Sequence, residues 1–395
     1  MSQKLINLNA DLKRLRDEGY ELEIRKGYLL IHSVPYVNTG REVKIGTLIS
    51  ELSLSGDITI KPQTHVIYFQ GEFPCSQEGK PIQQIQHNSG RQVLADGIYY
   101  DHSFSNKPKT GYEDYYAKAI QYIKIISHPA KVLNNNADPR TFKPIEAASD
   151  ESIFKYVDTA SSRAGIQAVS EKLSSQRIAI VGLGGTGAYI LDFVAKTPVQ
   201  EIHLFDNDDF QSHNAFRSPG AASLDDLRQK EKKVNYLVKM YSRMREGIIP
   251  HTKMVLEENI SELNGFDYVF LCVDNGPCRK LVIDSLLKNG PIIIDAGMDV
   301  QLVDQMLIGT CRVTTCCKNK NDHISTRISM SENVVVAHDY TSNIQIVELN
   351  ALNASLAVIK WKQLSGFYQD LEHEYHLTYS TNCALLETDE KDNAN

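Results

Sequence analysis

Long hydrophobic runs are missing from this 395-residue chain. The longest apolar stretches, YVFLCV and PIIIDAG, fall far short of the roughly 20 residues a membrane helix needs, so no membrane span is expected. The opening segment MSQKLINLNADLKRLRDEGY lacks an apolar core of signal-peptide length. An excess of positive charge is missing too: 42 Lys and Arg stand against 49 Asp and Glu, a formal net charge of −7. With no basic stripe or arginine-rich arm, nucleic-acid binding is not expected. Paired cysteines are also lacking. The seven cysteines (75, 272, 278, 311, 316, 317 and 383) are odd in number and scattered, and none forms a C-x-x-C pair. That argues against a disulfide framework and against structural zinc, and it suits a cytoplasmic protein with free thiols.

What is present is enough apolar residue, 42%, for real cores, in a chain long enough for two or three domains. Two kinds of text are joined. Residues 1–135 open with a short amphipathic helix, where Leu5, Leu8, Leu12 and Leu15 recur at helical spacing. The runs YELEIR, YLLIHSV, DITI and HVIYFQGEF then read as strands, and YEDYYAKAIQYIKIIS as a helix, which makes a small α+β domain. Residues 136–155 are polar and rich in Asn and Pro, as in a linker. From 156 to 385 the rhythm becomes strand, helix, strand. QRIAIVG, EIHLFD, TKMVLEE, DYVFLCVD and PIIIDAG are the strands of a doubly wound, Rossmann-like, mostly parallel sheet. Residues 386–395 read as an acidic, flexible tail.

Ligands of such sheets sit at the carboxyl ends of the strands. There the chain carries Gly182-Leu183-Gly184-Gly185-Thr186-Gly187, directly after a strand and opening a helix. Glycines in that place permit a tight turn and close backbone approach to a phosphate at a positive helix end. Asp206 ends the next strand, placed to accept hydrogen bonds from ribose hydroxyls. These two features fit an NAD(H)-dependent oxidoreductase as well as an ATP enzyme. Asn214 and Arg217, eight and eleven positions beyond Asp206, separate them. A dinucleotide has no use for an amide and a guanidinium there, whereas a triphosphate needs such a fork of donors.

In this order and spacing the block resembles the core of the ThiF/MoeB/HesA family, the superfamily of ubiquitin-activating enzymes. The resemblance covers roughly residues 160–360 and implies an adenylating enzyme. It would act on the C-terminal glycine carboxylate of a ubiquitin-like or sulfur-carrier protein, with ATP and Mg²⁺ as cofactors and pyrophosphate as product. It also implies the site residues. Lys233 matches the family lysine ahead of a helix, with Lys230 and Lys232 as rivals. Cys272-Val273-Asp274-Asn275 matches a C-x-D-N strand end whose Asp274 would hold Mg²⁺, and Arg279 follows. Arg163, in SSRAG, resembles an arginine that crosses a homodimer interface to the partner's triphosphate. Arg217 and Lys233 would stabilise charge at the α-phosphorus.

Some relatives pass the acyl group to a cysteine. Here Cys316 and Cys317 are the candidates, with Lys318 and Lys320 close enough in sequence to favour a thiolate. The hydroxyls of Ser325, Ser329 and Ser342 have no recognisable base. A helix over 342–364 should bury Ile346, Leu349, Leu352, Leu356 and Ile359. Cys75 and His102 are read as structural. The N-terminal domain would recruit the substrate or a conjugating-enzyme-like protein. A degenerate, inactive scaffold remains an alternative to the enzyme.

Overall fold

The computed structural model describes every residue except 1, 145–151, 165, 289, 331–343 and 392–395, and the side chains of 2, 4, 162, 163 and 167. The chain divides into two compact units: Met1–Ser152 with Tyr156–Arg163, and Ile153–Lys155 with Ala164–Asn395.

Unit 1 begins with two helices, α1 (Ser2–Leu8) and α2 (Ala10–Asp17), not one. Asn9 makes the break. Its Nδ2 donates to the Leu5 and Asp57 carbonyls, and its Oδ1 accepts the Thr59 N–H at 2.6 Å. Eight strands follow: β1 (Leu22–Arg25), β2 (Tyr28–Val37), β3 (Val43–Glu51), the short pair β4 (Leu54–Ser55) and β5 (Ile58–Thr59), β6 (Val66–Gln70), β7 (Gln86–Ala95) and β8 (Ile98–Ser105). Six of them form an antiparallel sheet in the order β1-β2-β3-β6-β8-β7. Helix α3 (Tyr115–Leu133) starts where Asp114 accepts the Ala117 N–H, and it buries Tyr115, Ala119, Tyr122, Ile123 and Ile126 against the sheet. The linker expected from 136 is packed here instead. Tyr20 bridges Arg140, and the Phe142 N–H donates to the Gly19 carbonyl.

Unit 2 takes up the other end of that expected linker, since Phe154 bridges Arg245 and Lys155 N–H donates to the Met244 carbonyl. The strands are β9 (Arg177–Val181), β10 (Glu201–Phe205), β11 (Ile248–His251), β12 (Tyr268–Leu271), β13 (Ile292–Val303), β14 (Met306–Cys316), β15 (His376–Ser380) and β16 (Leu385–Asp389). They pair in the order β11-β10-β9-β12-β13-β14-β15-β16, parallel as far as β13 and antiparallel beyond it. After α4 (Thr159–Ala164), which falls to unit 1 except for Ala164, the helices of unit 2 are α5 (Gln167–Ser170), α6 (Gly185–Ala195), α7 (Ser212–Ala215), α8 (Leu224–Gln229), α9 (Lys233–Tyr241), α10 (Gly276–Leu286), α11 (Ile324–Arg327) and α12 (Val347–Leu364).

Three expectations are corrected here. The strand expected in TKMVLEE lies earlier, at β11, where Pro250 is tolerated because this is an edge. Residues expected in a frayed tail form β16, paired with β15 from Leu385 to Asp389. Helix α12 buries Leu349, Asn350, Asn353, Ala354, Ala357, Val358 and Trp361, while Ile359 is 44% exposed. Ile346, Leu352 and Leu356 of the expected stripe are partly buried and pack against core residues, while the small Ala354 and Ala357 seat a second face of the helix in the core and turn two amides inward.

One buried charge in unit 1 yields a stability test. Lys118 of α3 is 1% exposed, and its ammonium donates to Ser50 Oγ at 2.9 Å. Burial lowers its pKa from 10.5 to about 8. Between those values the unfolded chain holds a proton that the folded chain has lost, so stability rises with pH through that window. At neutral pH the burden is on the order of 3 kcal/mol. Lys118→Met should therefore raise the unfolding temperature at pH 7.5, and the gap to wild type should shrink by pH 9.5. A gap of constant size would show that Lys118 is not desolvated.

Candidate nucleotide site

The order of unit 2 reverses at β9, with β10 on one side and β12 on the other. A crevice opens at the carboxyl end of a doubly wound sheet where its strand order reverses. A cavity of ≈ 330 Å³ lies there, lined by residues of the Gly182–Thr186 turn, the β10 and β12 ends and the start of α9.

The glycines differ in what requires them. Gly182 has φ +88°, in the left-handed region, and a Cβ there would meet the Cys272 carbonyl at 2.8 Å. At Gly187 a Cβ would stand 2.0 Å from the Gly182 carbonyl, and at Gly185 2.3 Å from the Asn350 amide. Gly184 lines the cavity and a Cβ there meets nothing within 4 Å. The protein's own packing thus explains three glycines, and only the open space of the cavity borders the fourth. Gly187, expected at the ligand, lies behind the turn and does not line the cavity.

Asp206 is anchored by backbone. Its Oδ2 accepts the Leu183 N–H at 2.7 Å and its Oδ1 the Asp208 N–H at 2.8 Å. Of the three rival lysines, Lys233 reaches the cavity: it opens α9, is 6% exposed, and its Nζ lies 2.6 Å from Asp208 and 3.7 Å from Asp206. Lys230 is the exposed, left-handed C-cap of α8. Lys232 donates to the Asn207 carbonyl and pairs with Asp209.

Arg217 lines the cavity, and its Nε is buried with no hydrogen-bond partner among the described residues. Desolvation pushes the guanidinium below its ordinary range, with Asp274 and Asp208 pulling the other way. Asn214 is placed differently from expectation. It is 1% exposed inside α7, its Oδ1 caps the Gln211 N–H, and its carbonyl receives the Arg217 N–H. It supports the turn that presents Arg217, and its Nδ2 is buried without a partner among the described residues.

Asp274 and Asn275 line the opposite wall, just beyond β12. Asn275 Oδ1 accepts the Cys278 N–H at 2.9 Å and caps α10. The side chain of Arg163 and all of Ser342 lie outside the described residues. Cys316 is corrected as an acyl acceptor: it is wholly buried, and burial pushes its thiol far up, away from the reactive thiolate. Cys317 is half-buried, neither cysteine lines the cavity, and Lys320 is engaged by Asp322 and Glu390.

Sequence reasoning missed Asn350, Asp295 and Arg312. Asn350 of α12 accepts the Thr186 hydroxyl at 2.9 Å and seats the glycine turn. Asp295, fully buried in β13, lies between Arg279 and Arg312. The signal for it was a carboxylate inside PIIIDAG, since a buried charge needs partners.

The fold and cleft define a doubly wound nucleotide-binding domain whose cavity carries Arg and Lys beside a glycine turn. Residues 159–352 match the ThiF family, and the chain carries a ThiF-family domain. Residues 10–159 match a domain of unknown function, DUF6791. Ubiquitin-like modifier-activating enzyme 5 of Xenopus laevis is 25% identical over 152 residues, covering 36% of this chain and 38% of that protein. The adenylyltransferase and sulfurtransferase UBA4 of Yarrowia lipolytica is 26% identical over 129 residues, 32% of this chain and 31% of that protein. The chain thus spans about a third of the length of the curated relatives it matches. E. coli MccB crystallised with MccA gives a TM-score of 0.47 at 13% identity, over 73% of this chain and 81% of that one. That structural likeness is too low to carry the reading further.

The glycine geometry gives a paired prediction. Gly187→Ala should cost about 3 kcal/mol or more, because backbone must move. Gly184→Ala should stay within about 1 kcal/mol of wild type. Chemical denaturation measures both, and equal losses would remove the distinction between the packed and the open glycine.

Proposed function

We propose that the ThiF-family domain binds MgATP and adenylates the C-terminal carboxylate of a ubiquitin-like or sulfur-carrier protein. The observation that carries this reading is Arg217, a cation facing the cavity with a buried Nε that has no hydrogen-bond partner among the described residues, near Lys233. Unpaired buried donors are costly, and phosphate oxygens supply the missing acceptors. The open space at Gly184 is where a phosphate can approach the backbone.

In the reaction, an oxygen of the substrate carboxylate attacks the α-phosphorus. The bond from that phosphorus to the bridging oxygen breaks, and pyrophosphate leaves with the electron pair. Arg217 and Lys233 stabilise the charge gathering on the phosphate oxygens. Asp206 offers its remaining lone pairs to the ribose, and its backbone anchors keep the carboxylate in one orientation. Among the described residues no three His, Cys, Asp or Glu side chains converge, so a divalent cation would take Asp274 together with phosphate oxygens, a donor set that suits Mg²⁺. Bound there, Mg²⁺ would neutralise phosphate charge. The names of the relatives, modifier-activating enzyme and adenylyltransferase, support the same class of reaction. Unit 1 would recruit the carrier protein or a conjugating-enzyme-like partner in the cytoplasm.

MgATP should raise the unfolding temperature and NAD(H) should not, since a ligand of the native state stabilises it by mass action. Arg217→Ala should weaken MgATP by roughly 2 kcal/mol, about thirtyfold in Kd. Asp274→Ala should abolish pyrophosphate exchange in the presence of the carrier protein. Stabilisation by NAD(H) alone would transfer the site to the oxidoreductases, and MgATP binding without exchange with any carrier would leave an inactive scaffold.

The active form would be a homodimer in which Arg163 completes the partner's site. Mixing inactive Arg163→Ala with inactive Asp274→Ala should then restore part of the activity, because one hybrid site holds both groups. Absence of rescue despite subunit exchange refutes the arrangement.

A further inference from the structure

Behind the cleft lies a carboxylate that no step above uses. Asp295 Oδ1 accepts Arg279 Nε at 2.8 Å, and Oδ2 accepts Arg312 Nη2 at 2.6 Å. Arg312 reaches it from β14 by crossing Gly297, where a Cβ would stand 2.3 Å from Nη2. Thr314 Oγ1 accepts Arg312 Nη1 at 2.8 Å and so fixes the second guanidinium. Arg279 has two nitrogens left. Nη2 donates to the Val273 carbonyl at 2.5 Å, and Nη1 donates to the Ser329 carbonyl at 3.2 Å.

Such a trio is a poor way to hold strands together. Removing three ions from water is expensive, and apolar residues of similar volume stabilise as well or better. A planar guanidinium supplies direction instead, because its donors leave in fixed directions within one plane. Here the plane is set by Asp295 at one end and points at two backbone carbonyls with the other. Val273 immediately precedes Asp274. Although Arg279 lines the cavity, its three nitrogens face Asp295, Val273 and Ser329, so it is turned toward the loop rather than toward a phosphate.

We propose that Arg279, locked by Asp295 and Arg312, is a positioning residue that sets where Asp274 presents its carboxylate and ties that loop to the segment at Ser329. This rests on the reading of Asp274 as the ligand of a divalent cation. It predicts a particular failure: loosening the fork scatters the Asp274 carboxylate and weakens the cation, while contacts of ATP with the glycine turn, Arg217 and Lys233 persist.

The test uses the full chain, ATP and a Mg²⁺ titration, with binding and unfolding temperature as readouts. Arg279→Lys keeps a cation for Asp295 but cannot span three acceptors. Half-saturating Mg²⁺ for ATP binding should rise about tenfold or more, as is usual when the support of a metal ligand is removed. Binding of ATP in chelator should stay within about twofold. Equal weakening of metal-free and Mg²⁺-bound ATP, or an unchanged Mg²⁺ requirement, overturns the proposal. Arg312→Lys loosens Asp295 from the other side and should shift the Mg²⁺ requirement in the same direction, which decides the matter if Arg279→Lys does not fold. Asp274→Asn separates the two levels. If it retains the wild-type Mg²⁺ dependence, the reading of Asp274 itself fails. If it loses that dependence and both arginine variants do not, only the positioning role fails.

Discussion

The turn from β9 into α6 is a contact of backbone on backbone. Gly187 sits so close to the Gly182 carbonyl that a Cβ would come within 2.0 Å, and Gly182 adopts a φ of +88° beside the Cys272 carbonyl. Because the turn closes this tightly, the first peptides of α6 open onto the crevice between β10 and β12, where unsatisfied N–H groups and the helix dipole favour an anion. The same closure fixes Leu183, whose N–H holds Asp206. It also lets Asn350 of α12 lie on Gly185 and take the Thr186 hydroxyl. A side chain at either tight position would move the helix end, the acidic residue and the α12 seat together.

Charge in the cleft is arranged in two tiers. Lys233 is partnered by Asp208 and Asp206, and Arg279 by Asp295, so both are held by carboxylates. Arg217 feels Asp274 and Asp208 only as fields, and desolvation outweighs them. A cation held by a carboxylate keeps its geometry without a ligand, and one without such a partner gains most when an anion arrives. The first tier therefore supplies form and the second supplies affinity. This division also explains why Asn214, fully inside its turn, serves the site without facing it.

That the glycine turn, Asp206 and Asp274 line the cavity was legible because each lies within a few residues of a strand end, a local signal, whereas Arg217 and Lys233 lie far from any strand end and were placed only by their order and spacing after Asp206. What was not legible came from distant segments meeting. Asn350 lies 164 positions from Thr186 in sequence, and no periodicity announces an amide turned inward. The α12 stripe packs as its spacing suggested except at exposed Ile359, but nothing in it announced the second buried face that Ala354 and Ala357 allow. In unit 1, Asn9 split a helix that its leucines made continuous, because its side chain bonds to residues 57 and 59. Cys316 and Cys317 looked reactive beside Lys318 and Lys320, yet reactivity depends on burial, which sequence neighbours do not reveal.

Some buried polar atoms of the described residues have no hydrogen-bond partner. Among the described residues they include Asn214 Nδ2, Arg217 Nε, Asn350 Nδ2 and Asn353 Oδ1, all in the segments that build the cleft or seat its turn. Each costs about 1–3 kcal/mol if it stays unsatisfied, a burden a domain selected for stability alone would shed. The two pairs differ in sign. Asn214 and Arg217 each leave a donor unsatisfied that any acceptor can take up, but Arg217 is charged and lines the cavity, so an anion there would satisfy it most strongly, whereas Asn214 is buried within its own turn. Asn350 leaves a donor and Asn353, one helical turn on, an acceptor. Arg217 alone of the four lines the cavity, and the other three lie in the structure that holds it in shape.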